Sequence, residues 1–299
     1  MSSLRVAVLG PGGVGGLLAA ALARAGADVV CLAGAGTVAT LTASGIRVES
    51  TLLGSFTATV RAAERLTEPV DVCFVCVKAT QLDAALDRVP ADVLGTALVV
   101  PLLNGVEHVA ALRTAYPDAG VVAATIRVES TRTAPGTVRH DSPFVAVELA
   151  ATGELAPRVQ RLTDLLEGAG VAARVSDDEQ AVLWSKLNFL APFALLTTSE
   201  QAPAGEVREH ARDDLRALIG EVAAVARAEG APADEQQVLS FFDGVPTGMR
   251  SSMQRDAEAG QPIEIDAIGA AIVRAAARHG IAVPVTARYV DELSARHRG

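Results

Sequence analysis

Apolar residues along this chain follow two different rhythms. Residues 4–9, 28–32, 70–77 and 97–102 are short runs rich in valine and leucine, the pattern of parallel strands buried on both faces. Between them, residues 14–25, 81–87 and 106–115 carry the composition and spacing of helices. That alternation predicts a doubly wound α/β sheet. Residues 120–175 are mixed, with strand-like pieces at 121–130, 136–141 and 144–150, a helix at 157–169, and a last strand with a linker at 168–178. Beyond it, apolar residues recur every three or four positions and glycines and prolines mark the breaks. This predicts helices at 179–198, 206–229, 233–242, 263–279 and 284–297. The expected organisation is an α/β N-terminal domain over 1–177 and an all-α C-terminal domain over 178–299.

The first strand runs into GPGGVG, where Gly10, Gly12 and Gly15 fall into G-x-G-x-x-G and a helical pattern starts at once. Each glycine has a physical reason. The first permits a tight turn, the second lets a pyrophosphate touch backbone, and the third lets helix and strand pack closely. Strand, motif, helix and second strand stand in the order a dinucleotide site needs, which makes the N-terminal domain Rossmann-type. The candidate cofactor contacts are Gly10, Gly12, Gly13, Val14 and Gly15, with the phosphates on the free N–H groups at the helix start. In such folds the tip of the second strand chooses between cofactors, an acid for NAD and a basic residue for NADP. Here the tip reads Leu32, Ala33, Gly34, Ala35, and Asp28 sits at the wrong end of the strand. The motif alone leaves the choice open.

Composition narrows the partners. A formal net charge of −9 with 3% aromatic residues does not suit a nucleic-acid binder or a protein that docks on anionic membranes. The N-terminal stretch lacks the features of a secretory leader, and no apolar run is read as approaching the roughly 20 residues of a membrane span. A cytoplasmic protein is expected. Three cysteines fit a reducing compartment. Cys73 and Cys76 form C-x-x-C, but inside a strand pattern and without a second ligand pair, so core packing is expected and no metal. The five histidines are scattered, and none is assigned a role.

Four further stretches carry chemistry: VCVKATQ around Lys78, PLLNGVE around Asn104, LWSKLNF around Lys186, and RSSMQRDAEAGQPIEIDAIG with Ser252 and Glu264. Together with GPGGVG and the α/β-then-helical order, they resemble the ketopantoate reductase (2-dehydropantoate 2-reductase) family over nearly the whole chain. The resemblance implies hydride transfer from a reduced nicotinamide to the carbonyl of a small 2-oxo acid, and through it a place in pantothenate synthesis. It gives Lys186 as proton donor to the alkoxide and Glu264 as the paired carboxylate contacting substrate. Ser252 and Asn104 follow as substrate contacts, Asn104 also near the nicotinamide, and Lys78 lies at the cofactor edge. The chemistry asks for such groups, because hydride delivery leaves negative charge on oxygen that a proton-giving cation stabilises. Without the resemblance, Lys186 reads first as a solvated helix residue, Glu264 as a helix start and Lys78 as an exposed strand end, and Asn104-Gly105 reads equally as a turn.

Two departures stand out. The family places asparagines four and eight residues after the lysine, where this chain has Leu190 and Ala194 on the same helical face, so a substrate-facing wall turns apolar. Pro192 lies beside it and threatens to kink the helix. The family's basic residue after the second strand is missing. The expectation is an NAD(P)H-dependent reductase, with NADP(H) favoured over NAD(H), acting on a 2-oxo acid or related carbonyl compound with a greasier tail than ketopantoate. The site is expected in a cleft between the domains. A β-hydroxyacid dehydrogenase working oxidatively and a dinucleotide-binding regulator without turnover are the alternatives. A homodimer is left open.

Overall fold

The structure is a computed structural model and describes residues 4–297. Six strands, β1 (Arg5–Leu9), β2 (Asp28–Leu32), β3 (Arg61–Ala63), β4 (Val72–Val75), β5 (Leu98–Pro101) and β6 (Gly120–Val121), form a parallel sheet in the order β3-β2-β1-β4-β5-β6. Val6, Ala7 and Val8 are all fully buried, which is why β1 shows no alternation of polar and apolar residues. Leu9 is in register with Leu32 on one side and Val75 on the other, so β1, β2 and β4 end level. The chain order reverses between β1 and β4, and the glycine turn leaves the sheet at that point.

Helix α1 (Gly13–Arg24) follows the turn. It packs on β1 and β2 with one side and on a second, four-stranded sheet with another. That sheet runs in the order Ser130–Ala134, Thr137–His140, Ile46–Ser50, Phe56–Ala58. Every residue from Gly15 to Leu22 is buried, so α1 has almost no solvent face and is apolar all round. Leu17, Leu18 and Leu22 are fully buried, each worth about 1.5–3 kcal/mol relative to exposure. A third sheet joins Ala172–Ser176, Ala146–Ala150 and Ala124–Arg127. Two strands of the second sheet, Ile46–Ser50 and Phe56–Ala58, and helix α2 (Ala35–Ser44) lie in the stretch that the patterning left unassigned, while Thr137–His140 falls in the piece expected at 136–141. Only Leu41 of α2 is buried, so its sequence carries no apolar stripe. The single piece expected at 121–130 is interrupted after Val121 and again after Arg127.

The chain forms two compact units, one of residues up to Leu103 plus His108–Val182, the other of Asn104–Glu107 plus residues from Leu183 onward. The second unit is helical, and among the described residues no strand follows Ser176. Helix α3 (Glu179–Glu200) is 22 residues long and mostly buried. By length and composition it is apolar enough to cross a membrane, which corrects the reading that no stretch comes near that length; the central helix of a packed domain has the same character. Pro192 sits inside α3 without ending it. The continuous helix expected at 206–229 breaks at Ala211, into Ala204–His210 and α4 (Arg212–Ala228). The break lets Arg208 reach the carbonyls of Phe242, Asp243 and Val245, and Arg212 pair with Asp243, all at the end of α5 (Glu235–Gly244). A short helix unmarked in the patterning, α6 (Ser252–Glu258), follows. The helix expected from 263 begins instead with a π-helical turn, Asp266–Ala270, which leads into α7 (Ala271–His279) and then α8 (Pro284–Arg296).

Candidate active site

In the first unit the glycine turn is set by backbone demands. Gly10 has φ +85, and a Cβ there would lie 2.6 Å from Val77 Cγ1. A Cβ on Gly15 would lie 2.3 Å from the Gly10 carbonyl oxygen, and one on Gly13 2.2 Å from that of Ser130. Gly12 differs, because a Cβ there would meet nothing within 4 Å. Internal packing therefore requires Gly10, Gly13 and Gly15, while the space beside Gly12 is open, which is what close approach of a pyrophosphate needs. No side chain caps α1 and no acidic residue stands in its first turn, so its initial N–H groups and positive dipole end suit an anion. The residues present fit a dinucleotide. Lys78 is half-buried just past β4 and precedes the short turn Ala79–Gln81.

The tip of β2 holds a cation after all, from an unexpected place. Arg88 Nη1 donates to the Ala33 carbonyl at 3.0 Å and the Glu64 carbonyl at 2.8 Å. Asp28, at the other end of β2, pairs with Arg61.

Cys31 and Cys73 are buried among apolar neighbours, and burial pushes both thiols up to about 12. Burial likewise pushes the Cys76 thiol up. Thiols so protonated are poor ligands and nucleophiles.

In the second unit three residues far apart in sequence meet. Lys186 Nζ on α3 donates to Asn104 Oδ1 at 2.9 Å, and Asn104 Nδ2 donates to Glu264 Oε2 at 2.8 Å. An amide has one acceptor end and one donor end, so it can join an ammonium to a carboxylate only in this orientation. Glu264 is 5% exposed, and a buried carboxylate requires such a partner. The loop bearing Asn104 is held tightly. Gly105 has φ +93, and a Cβ there would lie 2.4 Å from the Ala267 carbonyl oxygen, so the loop presses against the π-helical turn. Arg274 bridges Glu107 at 2.7 Å and Asp266 at 2.8 Å, clamping the same loop to the same turn, and these two carboxylates raise its pKa. Arg274, Glu107 and Asp266 carried no signal in the sequence beyond ordinary surface charge. The Glu264 carbonyl accepts the Ile268 N–H at 3.0 Å, which places Glu264 just ahead of the turn rather than inside a helix.

Leu190, one turn from Lys186, is half-buried, whereas Ala194 is fully buried and presents no surface to a ligand. Phe189, three residues from Lys186, stacks on Phe193 at 5.3 Å and meets the exposed Phe241 edge-on at 4.8 Å. Ser252 is exposed in the first turn of α6, outside the group formed by Lys186, Asn104 and Glu264. Its neighbour Ser251 turns inward as the cap of α6, accepting from the Gln254 N–H and lying 2.8 Å from the Thr197 hydroxyl.

Residues 6–152 match the family model for "Ketopantoate reductase PanE/ApbA" and residues 178–297 that for its C-terminal part. The chain is 33% identical to a 2-dehydropantoate 2-reductase of Caulobacter vibrioides over 97% of this chain and 98% of that one. The crystal structure of a PanE/ApbA family ketopantoate reductase from Ralstonia eutropha superposes with a TM-score of 0.88 at 29% identity, covering 99% of this chain and 100% of the other. A D-mandelate dehydrogenase solved with NADH and anilino(oxo)acetate gives a TM-score of 0.88 at 22% identity, covering 98% of each chain, a likeness of fold.

Proposed function

Because the chain belongs to the ketopantoate reductase family of oxidoreductases, we propose that it reduces the carbonyl of a 2-oxo acid, with Lys186 as the proton donor. A reduced nicotinamide dinucleotide, when bound at the glycine turn, supplies the hydride. The Lys186 ammonium donates to Asn104, which aims the side chain toward the oxygen that becomes an alkoxide. Lysine can both stabilise that oxygen and give it a proton, which arginine cannot. Glu264 is the acceptor for a hydroxyl on the product carbon, and Asn104 keeps its carboxylate in place. Ser252 is an outer contact for the acid's far end.

The observation that carries this reading is the line Lys186, Asn104, Glu264, a cation and a buried anion spaced by one amide from a third segment. Leu190 and the Phe189–Phe241 pair favour a substrate with an apolar tail over ketopantoate, since a wall without polar partners disfavours a buried substrate hydroxyl. The test is oxidation of NADPH and NADH, followed at the nicotinamide absorbance band, across branched, aromatic and hydroxylated 2-oxo acids. Turnover greatest on the apolar acids, and abolished in Lys186→Ala, is expected. No oxidation with any 2-oxo acid overturns the reading, and clear preference for ketopantoate overturns its apolar part.

A further inference from the structure

The tip of β2 lacks a charged residue in sequence, yet a guanidinium occupies it in space. Gly34 has φ −72 and ψ 158, an extended conformation open to any residue, and nothing in its backbone calls for glycine. Around the position of a Cβ on Gly34 the one neighbour within 4 Å is Arg88 Nη2, at 3.9 Å. The guanidinium is not a loose surface group. Its Nη1 is fixed by the Ala33 carbonyl just past β2 and the Glu64 carbonyl just past β3, so Nη2 has a defined position beside open space. A second cation stands close in the chain fold, for Arg65 Nη1 donates to the carbonyl of Asp87, the residue before Arg88. In these bonds Glu64 and Asp87 offer backbone oxygens and not their carboxylates.

We propose that Arg88 is the cofactor-specificity residue of this protein: its Nη2 edge, presented over Gly34, binds the 2'-phosphate of NADP(H). The inference rests on the reading of the glycine turn as a dinucleotide site, because the ribose of a dinucleotide so held reaches the end of β2. A phosphate suits a planar guanidinium whose geometry is already set, and the bare Gly34 leaves the phosphate room. In this chain the cation arrives from beyond β4, reaching the tip across the end of β3, instead of following β2 directly.

Isothermal titration of the full-length protein with NADP+ and with NAD+ tests this without reference to turnover. The wild type is expected to bind NADP+ at least about tenfold more tightly, the scale of a hydrogen bond to a charged group, with the advantage shrinking as salt rises. Arg88→Met is expected to bring the two affinities level. Should that variant fail to fold for want of its two carbonyl bonds, Gly34→Asp serves instead. It keeps Arg88 anchored, places a carboxylate against Nη2, and is expected to turn the preference toward NAD+. Equal affinities in the wild type, or a preference unmoved by Gly34→Asp, overturn the role of Arg88. Failure of both nucleotides to bind overturns the dinucleotide reading itself, and this proposal with it.

Discussion

The glycine turn and the Lys186 group are built on opposite principles. The turn is made of backbone: five glycines between positions 10 and 16, each N–H supplied by local conformation, with no charged side chain among them. The Lys186 group is made of side chains from three segments, 82 and 160 positions apart, whose functional atoms meet only once the unit has folded. The first should therefore fail through sterics and the second through chemistry, and mutation can separate the two.

The largest effect is expected at Lys186. Lys186→Ala removes the proposed proton donor and should lower kcat by about 10²–10⁴-fold. If the division of labour holds, dinucleotide affinity by titration stays within about twofold of wild type. Asn104→Asp comes next, at about 10²-fold. It keeps an acceptor for Lys186 but sets two carboxyls against each other where a donor met an acceptor at 2.8 Å. Like charges so close raise the pKa of one, so the loss should shrink as pH falls and a protonated carboxyl again donates to Glu264. A pH profile parallel to wild type would break the comparison. On the backbone side, Gly15→Ala forces a methyl to within 2.3 Å of the Gly10 carbonyl oxygen and should cost about 1–3 kcal/mol by chemical denaturation. Leu190→Asn should shift preference toward hydroxylated 2-oxo acids by about tenfold in kcat/KM. The smallest change in stability belongs to Gly12→Ala, within about 0.5 kcal/mol because its methyl meets nothing, yet it should weaken dinucleotide binding. Unchanged binding there would mean that the open space beside Gly12 serves no ligand.

The same contrast explains what could be read in advance. A backbone-built site is written in consecutive residues, so Gly10 to Gly15 announced the turn, and the buried strands announced the central sheet. Ala35–Ser44 was silent because only Leu41 is buried, and Phe56–Ala58 because it is three residues long, whereas Ile46–Ser50 alternates buried Ile46 and Val48 with Arg47 and Glu49, a half-buried strand signal that a search for continuous apolar runs passes over. No local pattern links Asn104 to Glu264, and only resemblance to a family singled them out together. Whether Ser251 or Ser252 turns inward depends on which residue caps α6, a one-residue choice that composition does not decide. Arg88 was out of reach for a like reason, its partner Ala33 lying 55 positions away.

Helix α1 has one more consequence. Being walled by two sheets, it holds the glycine turn in place through its own packing, without help from a ligand. A dinucleotide bound there, as proposed, would dock onto a turn already ordered, with little ordering of the chain to oppose it. The amide protons of residues 17–22 should accordingly exchange with solvent only through global opening, even in ligand-free protein.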